Sequence, residues 1–106
     1  MADIFMTRAR AIISRIPPGL VTTYGIIAEC AGNRSGARQV ARILYSSSTK
    51  YQLPWHRVVN RSGLISPRPS MSHLLQRQLL LDEGVYFGEN GKIDLSIFLW
   101  RPEWLD

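Results

Sequence analysis

Two segments with helical apolar spacing, separated by a short turn, constrain the fold of this chain more than any other feature. The first runs from about Tyr24 to Ala31, and the second runs from about Gly36 to Ser46. Gly32 is placed to end the first helix, and Ser35 is placed to cap the second. Two helices joined by a three-residue turn that contains glycine are typical of a helix-turn-helix unit.

The second of these helices has an arginine face and an apolar face. At about 100° per residue, Arg38 and Arg42 project from one side, while Val40, Ile43 and Leu44 project from the other. The apolar side predicts packing against a core and leaves the two guanidinium groups in solvent.

Basic residues occupy the middle of the chain without acidic residues among them. The formal net charge is +5, and no acidic residue occurs between Glu29 and Asp82. That window contains Arg34, Arg38, Arg42, Lys50, Arg57, Arg61, Arg68 and Arg77. Such a block, in which arginine outnumbers lysine, favours a polyanionic partner and suits bidentate phosphate contacts. The alternative is a solvated basic face without a partner.

The other patterns predict a mainly α-helical fold with minor β-structure, in a single domain over residues 1–106. A first helix is predicted with Asp3 as its cap and Pro17-Pro18-Gly19 at its end, and Thr22 or Thr23 is predicted to cap the next helix. Further along the chain, a short strand is predicted at Arg57-Val58-Val59 and a helix from about Met71 to Glu83. A small carboxyl-terminal hairpin is predicted around Asn90-Gly91. With 45% apolar and 20% charged residues, the composition is that of a globular protein.

Three expectations concern packing and local order. We expect segment 46–52 to be irregular, and Trp100 and Trp104 to pack onto the body of the domain. The helix from Met71 to Glu83 is expected to bury one set of side chains, namely Leu74, Leu75, the methylenes of Gln78, Leu79 and Leu81.

Several classes of protein are disfavoured by what the sequence lacks. No stretch has the length of a membrane span, and the amino terminus does not resemble a secretory signal, so we expect a cytoplasmic, nucleoid-associated or nuclear location. Cys30 is the only cysteine, which excludes an internal disulfide. His56 and His73 are not at ligand spacing, so no metal site or cofactor is expected.

Five short motifs follow one another in the order found in one known family. They are Ile16-Pro17-Pro18-Gly19, Thr23-Tyr24-Gly25, Ala37-Arg38-Gln39-Val40, Pro54-Trp55-His56-Arg57-Val58 and Glu83-Gly84. Together they resemble the catalytic domain of the DNA-repair alkyltransferases, which implies the winged-helix-like helix-turn-helix fold of that domain. The segment 85–106 lies outside the resemblance and has no predicted role.

The fourth motif differs from the alkyltransferase signature at one position. The enzymes have a cysteine there, which takes an alkyl group from the 6-oxygen of damaged guanine, and this chain has Trp55. A thiolate can perform that displacement, whereas an indole cannot. The chain therefore resembles the alkyltransferase-like proteins, which recognise the lesion without repairing it.

The resemblance implies roles for residues that would contact DNA. The helix-turn-helix is expected to enter the minor groove, where Arg38 would fill the position vacated by a flipped guanine. Tyr24 would turn the nucleotide by crowding its phosphate. Ser35 and Arg42 are expected to contact the DNA beside them.

The resemblance also implies a pocket that receives the flipped base. Trp55 would wall this pocket, and Arg68 would lie over the purine in a cation–π contact. His56 and Glu83 are expected to be a retained hydrogen-bond pair without a thiol to activate. The structural frame of the pocket would come from Pro54, His56, Arg57 and Glu83.

The resulting hypothesis is a monomeric, non-enzymatic sensor of O6-alkylguanine in duplex DNA that passes the lesion to a damage-recognition protein of nucleotide excision repair. One alternative is an alkyltransferase or glycosylase with another nucleophile, which predicts a covalent adduct or a released base. The other is an ordinary helix-turn-helix regulator, which predicts preference for a base sequence and dimerisation.

Overall fold

A computed structural model describes residues 4–66 and 72–102 of the chain. Its elements are α1 (Ile4–Ser14), β1 (Thr22–Thr23), α2 (Tyr24–Cys30), α3 (Ala37–Tyr51), a 3₁₀ turn (Trp55–Arg57), β2 (Val58–Val59), α4 (Ser72–Asp82) and α5 (Leu95–Phe98). The predicted class, mainly α with minor β, is confirmed. The predictions for Asp3, Arg68 and Trp104 lie outside the described residues.

Helices α1, α2 and α3 pack around a first core that contains Ile12, Ile27 and Val40, each almost completely buried. Of the two threonines predicted as alternatives for the cap of α2, Thr23 takes that position, because its Oγ1 accepts a hydrogen bond from the Ile26 amide at 3.1 Å. Gly32 follows the helix with a φ of +105°, a conformation that disfavours other residues.

The turn between α2 and α3 differs from its prediction in how α3 begins. Ser35 is not the cap, since Gly36 takes that position without a side-chain hydrogen bond. The Ser35 amide instead donates to Asn33 Oδ1 at 3.1 Å, which tightens the turn. A Cβ on residue 36 would lie 2.8 Å from Cζ of Phe5, so a side chain at this position would displace the Phe5 ring that packs here from α1.

Helix α3 is also longer than predicted, because it continues through the segment expected to be irregular and ends at Tyr51. The serines in this segment are accommodated by hydrogen bonds to carbonyls one turn earlier. Ser46 Oγ donates to the Arg42 carbonyl at 2.9 Å, and Ser48 Oγ donates to the Leu44 carbonyl.

Strands β1 and β2 form a parallel pair in which Thr22 aligns with Val58 and Thr23 with Val59. The carboxyl-terminal segment runs along β1, where Val21 bridges Leu99 and its carbonyl accepts from the Trp100 amide at 2.7 Å. Trp100 packs against the first core, as predicted. No helix among the described residues is long and apolar enough to cross a bilayer.

A second core forms where the carboxyl-terminal segment meets the sheet. Its buried residues are Val21, Val59, Leu80, Val85, Ile93 and Phe98. The predicted hairpin is reduced to one antiparallel bridge between Phe87 and Ile93, and Leu95 begins α5 instead of continuing a strand.

The buried face of α4 was predicted wrongly. Leu74 and Leu75 are 55% and 54% exposed, while Gln76 and Leu80 are completely buried. Gln76 Nε2 donates to the carbonyl of His56 at 3.1 Å and to that of Val58 at 2.9 Å. A buried amide needs such partners, so these two bonds set the rotation of α4 against the apolar pattern.

Replacing Gln76 by leucine tests this attachment. We expect Gln76→Leu to lower the free energy of unfolding by about 2 kcal/mol, because the buried Val58 carbonyl and the partly buried His56 carbonyl lose their donor. Gln78→Leu is the matched control, since Gln78 is exposed and donates only to Asp82 in the described structure. Urea unfolding of both variants measures the difference, and equal stability of the two would contradict the assignment.

Candidate nucleic-acid interface

Tyr24 and Trp55 both pack against the first core. Tyr24 is the first residue of α2, directly after β1, and Trp55 is the first residue of the 3₁₀ turn that leads into β2. Both side chains are half-buried, so each has one side on the core and another accessible to a ligand. Pairing of β1 with β2 therefore brings two of the predicted site residues onto a common support.

The 3₁₀ turn that carries Trp55 is held by its own backbone and by its neighbours. The Pro54 carbonyl accepts a hydrogen bond from the Arg57 amide at 3.0 Å, and the Trp55 amide donates one to the Leu53 carbonyl at 2.8 Å. The rings of Trp55 and His56 meet edge to face, with centroids 6.2 Å apart. The indole is thus presented from a constrained backbone.

Glu83 is the centre of a hydrogen-bond network behind this turn. Its Oε2 lies 2.8 Å from His56 Nε2 and 2.7 Å from the Arg57 Nη2 donor. Its Oε1 accepts from Arg57 Nε at 3.0 Å and from the Gly19 amide at 3.1 Å. Arg57 Nη1 also donates to the Ile16 carbonyl at 2.9 Å. Both carboxylate oxygens are therefore used, and the pair inferred for His56 and Glu83 is in hydrogen-bond contact.

These contacts determine the ionisation of Glu83. Partial burial alone would raise the pKa of the carboxyl, but hydrogen bonds from Arg57, His56 and the Gly19 amide, with attraction to His56, lower the pKa to about 2. The group is therefore an anion at neutral pH. Gly19, with a φ of +86°, allows its amide to reach the carboxylate.

The predicted arginine face of α3 lies in solvent. Arg38 and Arg42 are exposed, and Tyr45 beside them is 81% exposed, whereas Val40 and Ile43 are buried. Neither guanidinium forms an ion pair within the described ranges. The helix therefore presents two exposed guanidinium groups and an aromatic ring on one surface.

Two other predicted site residues do not lie on this exposed face of α3. Ser35 is exposed on the turn before α3, and Arg68 lies outside the described residues. Within residues 4–66 and 72–102, no cluster of histidine, cysteine or carboxylate side chains could hold a metal ion. Sequence reasoning missed Gln76 as a support of the Trp55 turn, although a glutamine within a leucine-rich helix was a usable signal.

Comparisons with known proteins agree on one family. The sequence profile of the 6-O-methylguanine DNA methyltransferase DNA-binding domain matches residues 4–85. The DNA base-flipping protein of Escherichia coli (strain K12) is 46% identical over 100 residues, covering 93% of this chain and 76% of that protein. Alkyltransferase-like protein 1 of Schizosaccharomyces pombe is 36% identical over 105 residues, covering 94% of this chain and 97% of that protein.

A solved structure matches the fold at similar coverage. It is the crystal structure of S. pombe Atl1 in complex with damaged DNA containing O6-carboxymethylguanine, with a TM-score of 0.82 and 36% identity. The match covers 96% of this chain and 99% of that one, so the carboxyl-terminal segment belongs almost entirely to the shared fold.

The pH dependence of stability tests the Glu83 network. The pKa of Glu83 is lowered from 4.5 to about 2, so its stabilisation is complete above pH 4.5 and is lost as the pH falls through 2. We expect Glu83→Gln to lower the free energy of unfolding by about 2 kcal/mol at neutral pH, with the difference from the parent protein shrinking towards pH 2. Asp82→Asn, at an exposed neighbouring carboxylate, should produce no such profile in urea unfolding between pH 2 and 7.

Proposed function

This chain belongs to the 6-O-methylguanine DNA methyltransferase family through its DNA-binding domain, and we propose that it recognises O6-alkylguanine in duplex DNA without repairing it. The names of its relatives support this function, since one is a DNA base-flipping protein and another is crystallised with damaged DNA. On this proposal, the damaged base leaves the stack and enters a pocket beside Trp55.

The observation that carries the proposal is Trp55 in front of an intact His56–Glu83 pair. The resemblance places Trp55 where the enzymes have their acceptor cysteine, and an indole does not perform the same displacement. Glu83 nevertheless keeps its hydrogen bonds to His56, Arg57 and Gly19. Retaining this frame without a thiol suits a pocket that holds a base and leaves its alkyl group in place.

Cys30 does not supply the missing nucleophile. It lies on α2 and packs against the first core, and it is the only cysteine in the chain. Burial raises the pKa of its thiol, and the nearby Glu29 carboxylate raises it further. Since the thiolate is the reactive form, this cysteine is poorly suited to accept an alkyl group at neutral pH.

Base extrusion needs residues that offset the loss of stacking, which costs a few kcal/mol. Arg38, exposed on α3, is the residue that we propose to occupy the vacated position in the duplex. Tyr24 crowds the phosphate of the target nucleotide and so favours its rotation. Ser35 and Arg42 contact the DNA on either side of Arg38.

The receiving pocket combines an aromatic wall with a cationic contact. Trp55 offers the flat face, and stacking of this kind contributes about 1–3 kcal/mol per base. Arg68 lies over the purine and senses its electronic state, which O6-alkylation changes by removing the N1 hydrogen. Pro54, His56, Arg57 and Glu83 hold the frame.

A sensor without repair chemistry must transfer the lesion, and we propose a nucleotide-excision-repair protein as the recipient.

A competition titration with matched duplexes, with and without one O6-methylguanine, tests the function at one stated salt concentration. We expect preferential binding of the monomeric protein to the lesion duplex, with no alkylated protein or released base by mass spectrometry. Equal binding to both duplexes would favour a sequence-reading regulator, and an adduct or free base would favour an enzyme.

Arg38→Ala tests the intercalating role. We expect it to abolish lesion-induced extrusion, read by a fluorescent base analogue opposite the lesion, while leaving much of the salt-dependent background binding. Arg42→Ala is the control, because it removes the same charge from the same face and should weaken binding without abolishing extrusion. Equal loss of extrusion in both variants would reduce Arg38 to a general charge contact.

Arg68→Ala tests recognition of the alkylated purine. We expect a narrower affinity difference between lesion and normal duplexes, because the cation–π contact is lost, with extrusion by Arg38 retained. The measurement is the same competition titration, with Lys50→Ala as a charge-loss control. An unchanged affinity ratio would show that Arg68 does not read the lesion.

A further inference from the structure

Three arginines from distant parts of the chain line one cleft beside the start of α2. The cleft has a volume of about 500 Å³, and its walls include Arg34, Arg61 and Arg101 together with Thr23 and Gly25. Thr23 and Gly25 flank Tyr24 in sequence. The cleft therefore opens next to the residue that we propose to act on the phosphate of the target nucleotide.

The tertiary structure brings these arginines together. Arg34 comes from the turn between α2 and α3, and Arg61 follows β2. Parallel pairing of β1 and β2 places the chain after Val59 next to the start of α2. Arg101 follows Trp100, whose amide donates to the Val21 carbonyl, so the carboxyl-terminal segment delivers this side chain beside β1.

The positive charge in the cleft is only partly compensated within the described part of the chain. Arg34, Arg61 and Arg101 are exposed and form no ion pair among those residues. Glu29 is the one carboxylate among the described residues that line the cleft. Three positive charges around one cleft favour the entry of an anion. Guanidinium groups suit phosphate oxygens because they donate two parallel hydrogen bonds.

We propose that this cleft binds a backbone phosphate of the DNA strand that carries the extruded nucleotide, with Arg101 supplied by the carboxyl-terminal segment. This inference rests on the proposed function, because Tyr24 fixes where the strand lies relative to the cleft. It assigns a role to residues beyond the part of the chain matched by the family profile, which ends at residue 85. Glu29 limits the affinity of the cleft, since its carboxylate opposes the phosphate.

Salt-dependent binding of the full chain to the lesion duplex tests this assignment. We expect Arg101→Ala and Arg61→Ala each to reduce the steepness of log K against log salt by about 0.9. If a variant and the parent protein bind equally at 1 M salt, the variant then binds roughly eightfold more weakly than the parent at 0.1 M salt. Glu29→Gln should bind more tightly than the parent protein, an effect that loss of structure would not produce. Arg77→Ala is the control, because Arg77 lies over the Phe87 ring outside the cleft and should leave the slope unchanged.

A single uncharged methylphosphonate, moved along the lesion strand, locates the contact. The parent protein should lose affinity at each phosphate that it contacts, and at one position near the lesion Arg101→Ala should lose less affinity than the parent protein does. If Arg101→Ala remains as sensitive as the parent protein at every position, or if Glu29→Gln does not tighten binding, the inference is overturned. A parent protein without lesion preference would instead refute the proposed function, so the two failures are distinguishable.

Discussion

The carboxylate of Glu83 joins three parts of the chain that are distant in sequence. Glu83 follows α4, and its carboxylate accepts hydrogen bonds from His56 and Arg57 in the 3₁₀ turn and from the Gly19 amide before β1. Arg57 extends the network to the Ile16 carbonyl beyond the end of α1. Charge-assisted hydrogen bonds are about twice as strong as neutral ones, so an anion with several donors is an effective junction. The position of the Trp55 turn depends on this junction.

Gln76 supports the same turn through a neutral contact from α4. Its amide donates to carbonyls at His56 and Val58, so the backbone after Trp55 is held by a side chain as well as by β1. A ligand that stacks on Trp55 would meet a surface whose backbone is already ordered. Pre-ordering of this kind reduces the entropy lost on binding, which suits the proposed site, where binding would have to offset the cost of unstacking a base.

Local periodicity predicted the elements whose contacts are local. The arginine and apolar faces of α3 followed from their spacing, and a threonine cap at position 22 or 23 was recognisable because a cap acts on the next few residues. The buried face of α4 was not predictable in this way, since its leucines surround the helix and Gln76 decides the orientation. The serines of α3 suggested irregular structure, yet the helix continues through them to Tyr51, with the Ser46 hydroxyl bonded to the Arg42 carbonyl one turn earlier.

The sequence by itself determined that position 55 carries an indole within an alkyltransferase-like series of motifs, and that basic residues occupy the middle of the chain. These are properties of residue identity and order. Only the tertiary structure decided which residues support Trp55, how closely the Phe5 ring approaches Gly36, and that Arg101 lies in one cleft with Arg34 and Arg61. Such contacts join residues far apart in the chain, so they depend on the path of the backbone and leave no periodic pattern in the sequence.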